Sequence, residues 1–319
     1  MQQTTMIPNS GIMSVPQIAA ASYAVSSPGV TSVSSGEYVR NISVRAGHTM
    51  YVFSGGWAEN VTAAGSKTIV NGSESVDYAA IIASSGAKIA GARVSSFAYL
   101  SAKTAEIDYA WADNGGRVIL TRHTSGAKLS ATSSGQITID STSFASRCVA
   151  SDGGMIKNNG QIIDAIISSG GIMNIVGSDY TAYATNVFIS RGGVVSAGSS
   201  SYLSNVYCTG TLNLGYGADA GTVYVYGGGN LQIAENVDAR RVTVKAVGAL
   251  NGFTRLSEEY YDSCSFNGLY HEDTYVSSGV TAILSNTHSA FNTQIRGGGV
   301  MVVNGGEWQI TPESPQADL

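Results

Sequence analysis

The densest run of ionisable and aromatic side chains lies between Phe253 and Tyr275. It gathers 5 of the chain's 22 carboxylates, among them Glu258, Asp262, Glu272 and Asp273. Carboxylates on one face of a sheet can divide the roles of general acid and general base at a glycosidic bond, or hold Ca²⁺. Glu258, Asp262 and Asp273 are the candidates for that work. No spacing in the run matches a metal or glycosidase signature, so the competing reading is a polar loop pushed out from the fold.

A second concentration is aromatic. Tyr202, Tyr207, Tyr216, Tyr224 and Tyr226 crowd into one short stretch. Amphipathic rings on a flat face suit sugar stacking or protein contact. The same spacing also suits rings that stack on one another between repeats. Tyr202, Tyr224 and Tyr226 are the binding candidates. His48, His123 and His288 stand alone, with no His or Cys at metal-ligand spacing, and the chain has neither a Gly-x-Ser-x-Gly elbow nor a phosphate-binding glycine loop. The expectation is a non-enzyme with no cofactor and no metal. A net charge of −5 without a Lys/Arg cluster argues against nucleic acid. No segment is long and apolar enough to span a bilayer as a helix.

The elements that position these residues are written in the glycines. Gly135, Gly154, Gly171, Gly193, Gly210, Gly229, Gly248 and Gly268 recur at a near-constant interval. A fixed period is the signature of stacked repeats. Short β-branched runs between glycine corners make each repeat a coil of strands. The fold class is therefore all-β, a right-handed parallel β-helix of about 14 to 15 coils, each of roughly 19 residues. Period-two alternation turns Ile, Val, Leu and Ala inward and Ser, Thr, Lys and Asn outward. Glycine at the corners supplies positive φ, and Asn71-Gly72 and Asn114-Gly115 are turn pairs of the same kind. One coil continues through Lys67 to Val70, and the next starts at Ile82. The shorter steps from Gly116 to Gly126 to Gly135 suggest two half-coils per turn, as does the step from Gly36 to Gly47.

All five prolines fall near the ends, at Pro8, Pro16, Pro28, Pro312 and Pro315. Proline cannot donate to a sheet ladder, so the domains read as a flexible head or cap over residues 1–30, a β-solenoid over 31–310 and a flexible tail over 311–319. No Lys or Arg precedes Arg40, which reads as a polar head and not a secretory signal. Cys148, Cys208 and Cys264 follow one another at intervals of about three coils. Three coils span about 14 Å, beyond the roughly 7 Å a disulfide allows. They are expected as unpaired, buried thiols, which points to a reducing compartment or to a chain that never meets a disulfide-forming enzyme.

The run from Ser54-Gly-Gly-Trp-Ala-Glu-Asn to Val61, with a short step on to Gly65, resembles the repeat of AIDA-type autotransporter adhesins. Arg191-Gly-Gly-Val-Val195, Gly297-Gly-Gly-Val300 and Asn304-Gly-Gly306 are similar to further copies. The resemblance covers most of residues 33 to 310. It implies a right-handed parallel β-helix displayed outside a bacterial cell, often self-associating, with serines that can carry O-glycans. Departures from that pattern are the absence of a translocating barrel, the absence of a signal and the presence of cysteines. Three functions are in view. The first is a secreted or surface-exposed adhesin-like scaffold that meets protein or glycan surfaces or a second copy. The second is a polysaccharide lyase or hydrolase built on Glu258, Asp262 and Asp273. The third is an effector exported without a cleaved signal and delivered into a host cell.

Overall fold

A computed structural model describes residues 30–178 and 180–225, with the backbone of further strands between 230 and 308. The chain is all-β, and its strands pair in parallel with the strand one lap on. One sheet takes a single short strand from each lap and orders 14 of them, from Val30–Val33 to Val300–Asn304. Ten of these lie within residues 30–225. The other sheet takes the long strands, such as Glu106–Asp113, Ser125–Ala131, Phe144–Ala150 and Gln161–Ile167. From Lys88 onward, partners in that sheet are separated by the same interval that separates the glycines.

Register in this stack is fixed by the core. Val118, Ile137, Ile156, Met173, Val195 and Leu212 sit on one another in successive laps and are all fully buried. Burying such a side chain is worth about 1.5–3 kcal/mol. A one-residue slip would turn the whole column to solvent.

Each long strand bends at one left-handed residue. Gly91, Tyr109, Lys128, Arg147, Asp164, Asn186 and Asn205 occupy that place, with φ between +53° and +72°. The bend interrupts the alternation, so the buried positions of one strand are Ile162, Ala165 and Ile167. The unbroken period-two pattern expected from the sequence holds only on either side of it. Asn and Asp tolerate this conformation best among residues with a Cβ. Here they also bond along the column. Asn205 Nδ2 donates to Asn186 Oδ1 (3.3 Å), and Asn186 Nδ2 donates to Asp164 Oδ1 (3.0 Å). Higher up, Lys128 Nζ lies 3.8 Å from the Tyr109 ring centroid.

The periodic glycines serve closeness more than turning. A Cβ on Gly135 would stand 2.0 Å from the carbonyl oxygen of Ala112, and one on Gly154 2.0 Å from that of Ala131. Positive φ belongs to the preceding residue, at Ser134 (φ +65°) and Gly153 (φ +81°). The corner is thus a two-residue device, whose two roles the glycine pattern alone does not separate. Gly126 is not a corner. It points inward, where a Cβ would meet Leu120 and Leu129 at 2.7 and 2.9 Å. The half-coil reading fails there. It holds for Gly36 and Gly47, which lie on successive corners.

The segment after Gly65 leaves the solenoid. Ser66–Val70 and Ser73–Asp77 form an antiparallel hairpin. Asn71 (φ +52°) and Gly72 (φ +78°) close it, as a two-residue hairpin turn requires. Lys67 and Glu74 pair across it at 2.6 Å. Trp57 therefore finds its partner at Lys88, with the hairpin looped out between them. Lys67 to Val70 is an insertion, not part of a coil.

Cys148 and Cys208 are buried and form no disulfide. They lie three laps apart in different columns. Burial pushes the Cys148 thiol up to about 12. Cys264, the prolines, the 1–29 head and the tail lie outside the described residues.

Candidate functional site

The outward side of the long-strand sheet carries two aromatic columns separated by the left-handed one. The first runs Phe144, Gln161, Tyr183, Tyr202 and Asp219. The second runs Val149, Ile166, Phe188, Tyr207 and Tyr224. Tyr202 and Tyr224, both expected to bind, thus share a face but not a column. Tyr226 and the acidic candidates Glu258, Asp262 and Asp273 lie outside the described residues. Tyr216 is exposed on a turn beside this face.

In the second column the rings form a ladder. Phe188 and Tyr207 stack with centroids 4.7 Å apart and planes 8° from parallel, and Tyr207 and Tyr224 stack at 5.0 Å and 6°. Both faces of the Tyr207 ring are therefore covered by protein. Its outward side is an edge, which is a poor platform for a sugar but a good apolar surface for another protein. Ile163, Ile166 and Phe188 beside it are each more than 40% exposed (42%, 45% and 43%). Ile166 and Phe188 adjoin in successive laps, and Ile163 stands across the Asp164–Asn186–Asn205 column from them. The opposite sheet differs. Its outer side in the same laps carries a polar column, Thr138, Lys157, Asn174, Ser196 and Asn213, and a half-buried mixed column, Gln136, Met155, Ile172, Val194 and Thr211.

In the first column Tyr183 and Tyr202 are tilted by 58° at 5.9 Å. They wall a shallow groove of about 440 Å³ with Thr181, Ser200, Ser201 and Asp219. The lap between Gln161 and Tyr183 is the longest of the regular ones. Thr181, at the end of that lap's extra length, lines the groove.

A second groove, of about 410 Å³, lies at the corner above. It is lined by Tyr78, Phe97, Ala98, Tyr99, Gly115 and Arg117. Sequence reasoning does not find it. Tyr78 and Phe97 are one lap apart, and so are Tyr99 and Arg117. Aromatics at lap spacing are the available signal, and the inserted hairpin throws off the count.

Charged groups in the described residues serve mainly to hold laps together. Arg93 grips the nearly buried Asp113 through Nη2 (2.6 Å) and Nε (2.8 Å). Burial pushes the Asp140 carboxyl up, but donors from Ser143, the Arg122 amide and Thr142 outweigh it and hold the group below its usual range. Among the described residues no group of three or more His, Cys, Asp or Glu could hold a metal ion. No helix among them is long and apolar enough to cross a membrane.

No protein-family model and no curated protein matches the sequence. Among solved structures the chain is similar to the TibC-catalyzed hyper-glycosylated TibA55-350 fragment, with a TM-score of 0.60 and 16% identity. The match covers 88% of this chain and 94% of that one. At that identity the likeness is one of fold: the long stack of parallel laps is shared.

Proposed function

We propose that this chain is a bacterial β-solenoid, secreted or displayed at the cell surface, that acts as an adhesin-like interaction scaffold for protein or glycan surfaces or a further copy of itself. The observation that carries this reading is the open apolar face. Ile166 and Phe188 are exposed at the Tyr207–Tyr224 ladder, with Ile163 across the bend, on a sheet whose counterpart keeps its outward apolar residues, Met155, Ile172 and Val194, half-buried. Many weak contacts repeated lap by lap give such a rod avidity without a deep pocket. Tyr224 contributes to the ladder, and Tyr202 to the groove beside it. The repeat resemblance to AIDA-type adhesins and the likeness in fold to the TibA fragment support the same reading.

The test is adhesion of beads coated with the full chain to cultured cell layers and to glycoprotein-coated plates. Native beads are expected to hold under flow, where albumin-coated beads wash off. An Ile166→Ser, Phe188→Ser double variant should lose most of that retention while keeping the native circular-dichroism spectrum. Native beads that hold no better than albumin, or a variant that holds as well as native, would overturn the proposal.

A further inference from the structure

The corner before each short strand is a column of small residues with two exceptions. Reading down the laps it holds Gly47, Tyr78, Phe97, Gly115, Ser134, Gly153, Gly170 and Gly192. Phe97 stands there at φ +58°, after Ser96 at φ +39°. A bulky side chain in the left-handed region is a conformational outlier. Such strain persists where the surrounding structure imposes it, often at ligand sites. The hairpin insertion is rooted at the same place. It leaves after Gly65, whose amide donates to the Ser96 carbonyl, and returns to the lap at Tyr78.

We propose that the groove framed by Tyr78, Phe97, Tyr99 and Arg117 binds an acidic sugar, a pyranose ring bearing a carboxylate. Among the described residues none of these three rings packs against another aromatic ring, unlike those of the Phe188–Tyr207–Tyr224 ladder. Tyr78 is 58% and Phe97 39% exposed, so their surfaces are open to the C–H side of a pyranose. Arg117 is exposed and makes no ion pair with the described residues. Its planar fork matches a carboxylate through two parallel hydrogen bonds. No carboxylate stands among the described residues that line the groove. Gly115 forms part of the lining, where the lack of a side chain leaves open space. The volume, about 410 Å³, lies in the range of small-ligand sites. Insertions in stacked repeats tend to gather on the binding side, and this one supplies the Tyr78 wall.

The inference deepens the scaffold reading by naming a partner class, and its test fails separately. Calorimetric titration of the full chain would use 3′-sialyllactose and trigalacturonate as the acidic probes and lactose as the neutral control. One acidic probe or both should bind about tenfold or more tighter than lactose, and which one responds tells sialic from uronic acid. Arg117→Gln should weaken that binding about tenfold, with Arg117→Lys intermediate. Phe97→Gly should weaken it while raising the melting temperature, because glycine relieves the left-handed strain. Acidic probes that bind no better than lactose up to about 10 mM, or native affinity in Arg117→Gln, would overturn the site. Beads that adhere in spite of that result leave the scaffold standing without this groove. Beads that fail to adhere while Arg117-dependent binding persists overturn the scaffold and keep the groove.

Discussion

Two groups of aromatic residues on one molecule are used in opposite ways. Phe188, Tyr207 and Tyr224 lie at matching positions in paired strands, so each ring falls on the next at 4.7 to 5.0 Å. Tyr78 and Phe97 lie at the corner where a hairpin has been inserted, Tyr99 lies early in the strand that follows Phe97, and no two of those rings stack. In the first group the faces are covered and the edges show. In the second the faces show. Register makes an adhesive column of Phe188, Tyr207 and Tyr224, whereas Tyr183 and Tyr202, equally in register, tilt by 58° and wall a groove, and at the hairpin corner the left-handed backbone holds the rings apart. Composition alone cannot separate these cases; the orientation of neighbouring rings does.

The strongest way to break this comparison is to disturb the corner that keeps the laps in register. Gly154→Ala places a Cβ 2.0 Å from the Ala131 carbonyl oxygen, so the backbone itself must move. A loss of about 3–5 kcal/mol is expected, read as a fall in the urea midpoint. Next is the ladder. Tyr207→Ala removes two stacked contacts, and about 1–3 kcal/mol should go with them. A value near zero would mean that the ladder is not adhesive. Gly153→Phe then sharpens the contrast, since it copies Phe97 into a glycine corner. A Cβ there has room, its nearest contact being the Ser134 nitrogen at 3.6 Å. The cost should be the left-handed strain, about 1–2 kcal/mol.

The smallest effect near neutral pH concerns the interior beneath the ladder-bearing face. Burial raises the folded Cys148 thiol from about 9 to about 12. Stability from the neutral thiol is complete below the unfolded value and is lost as pH rises from about 9 through about 12, because only the unfolded chain ionises freely there. Cys148→Ala should cost about 1 kcal/mol at pH 7 as a small void. Its alkaline stability curve should be shallower by up to about 1.4 kcal/mol per pH unit. An unchanged alkaline slope would show that the thiol is reached by water.

The lap length, the inward columns and the tyrosine concentration are all legible in the sequence, because each repeats at the glycine period. The bends in the long strands are not. Asp164, Asn186 and Asn205 are types that favour the left-handed region, but Tyr109, Lys128 and Arg147 occupy the same place and nothing in their types announces a bend. Residues 66–77 mislead for a different reason. Lys67 to Val70 has the composition of a lap strand, and only its pairing partner, which lies within the hairpin, distinguishes it. With that insertion counted as a lap, Tyr78 falls out of line with Phe97, and the groove disappears from the pattern. Glu258, Asp262, Asp273 and Tyr226 fall outside the described residues, so the enzyme and binding readings built on them rest on sequence alone.

Among the described residues, laps are tied to their neighbours by main-chain bonds at the corners as well as along the strands, as between Gly153 and Gly170 and between Gly170 and Gly192 (both 2.9 Å). A rod anchored at one end and tugged at the other would therefore shed its turns one at a time. Each released turn adds about 60 Å of slack. The molecule would behave as a tether that lengthens in steps under load and reseals when the load drops.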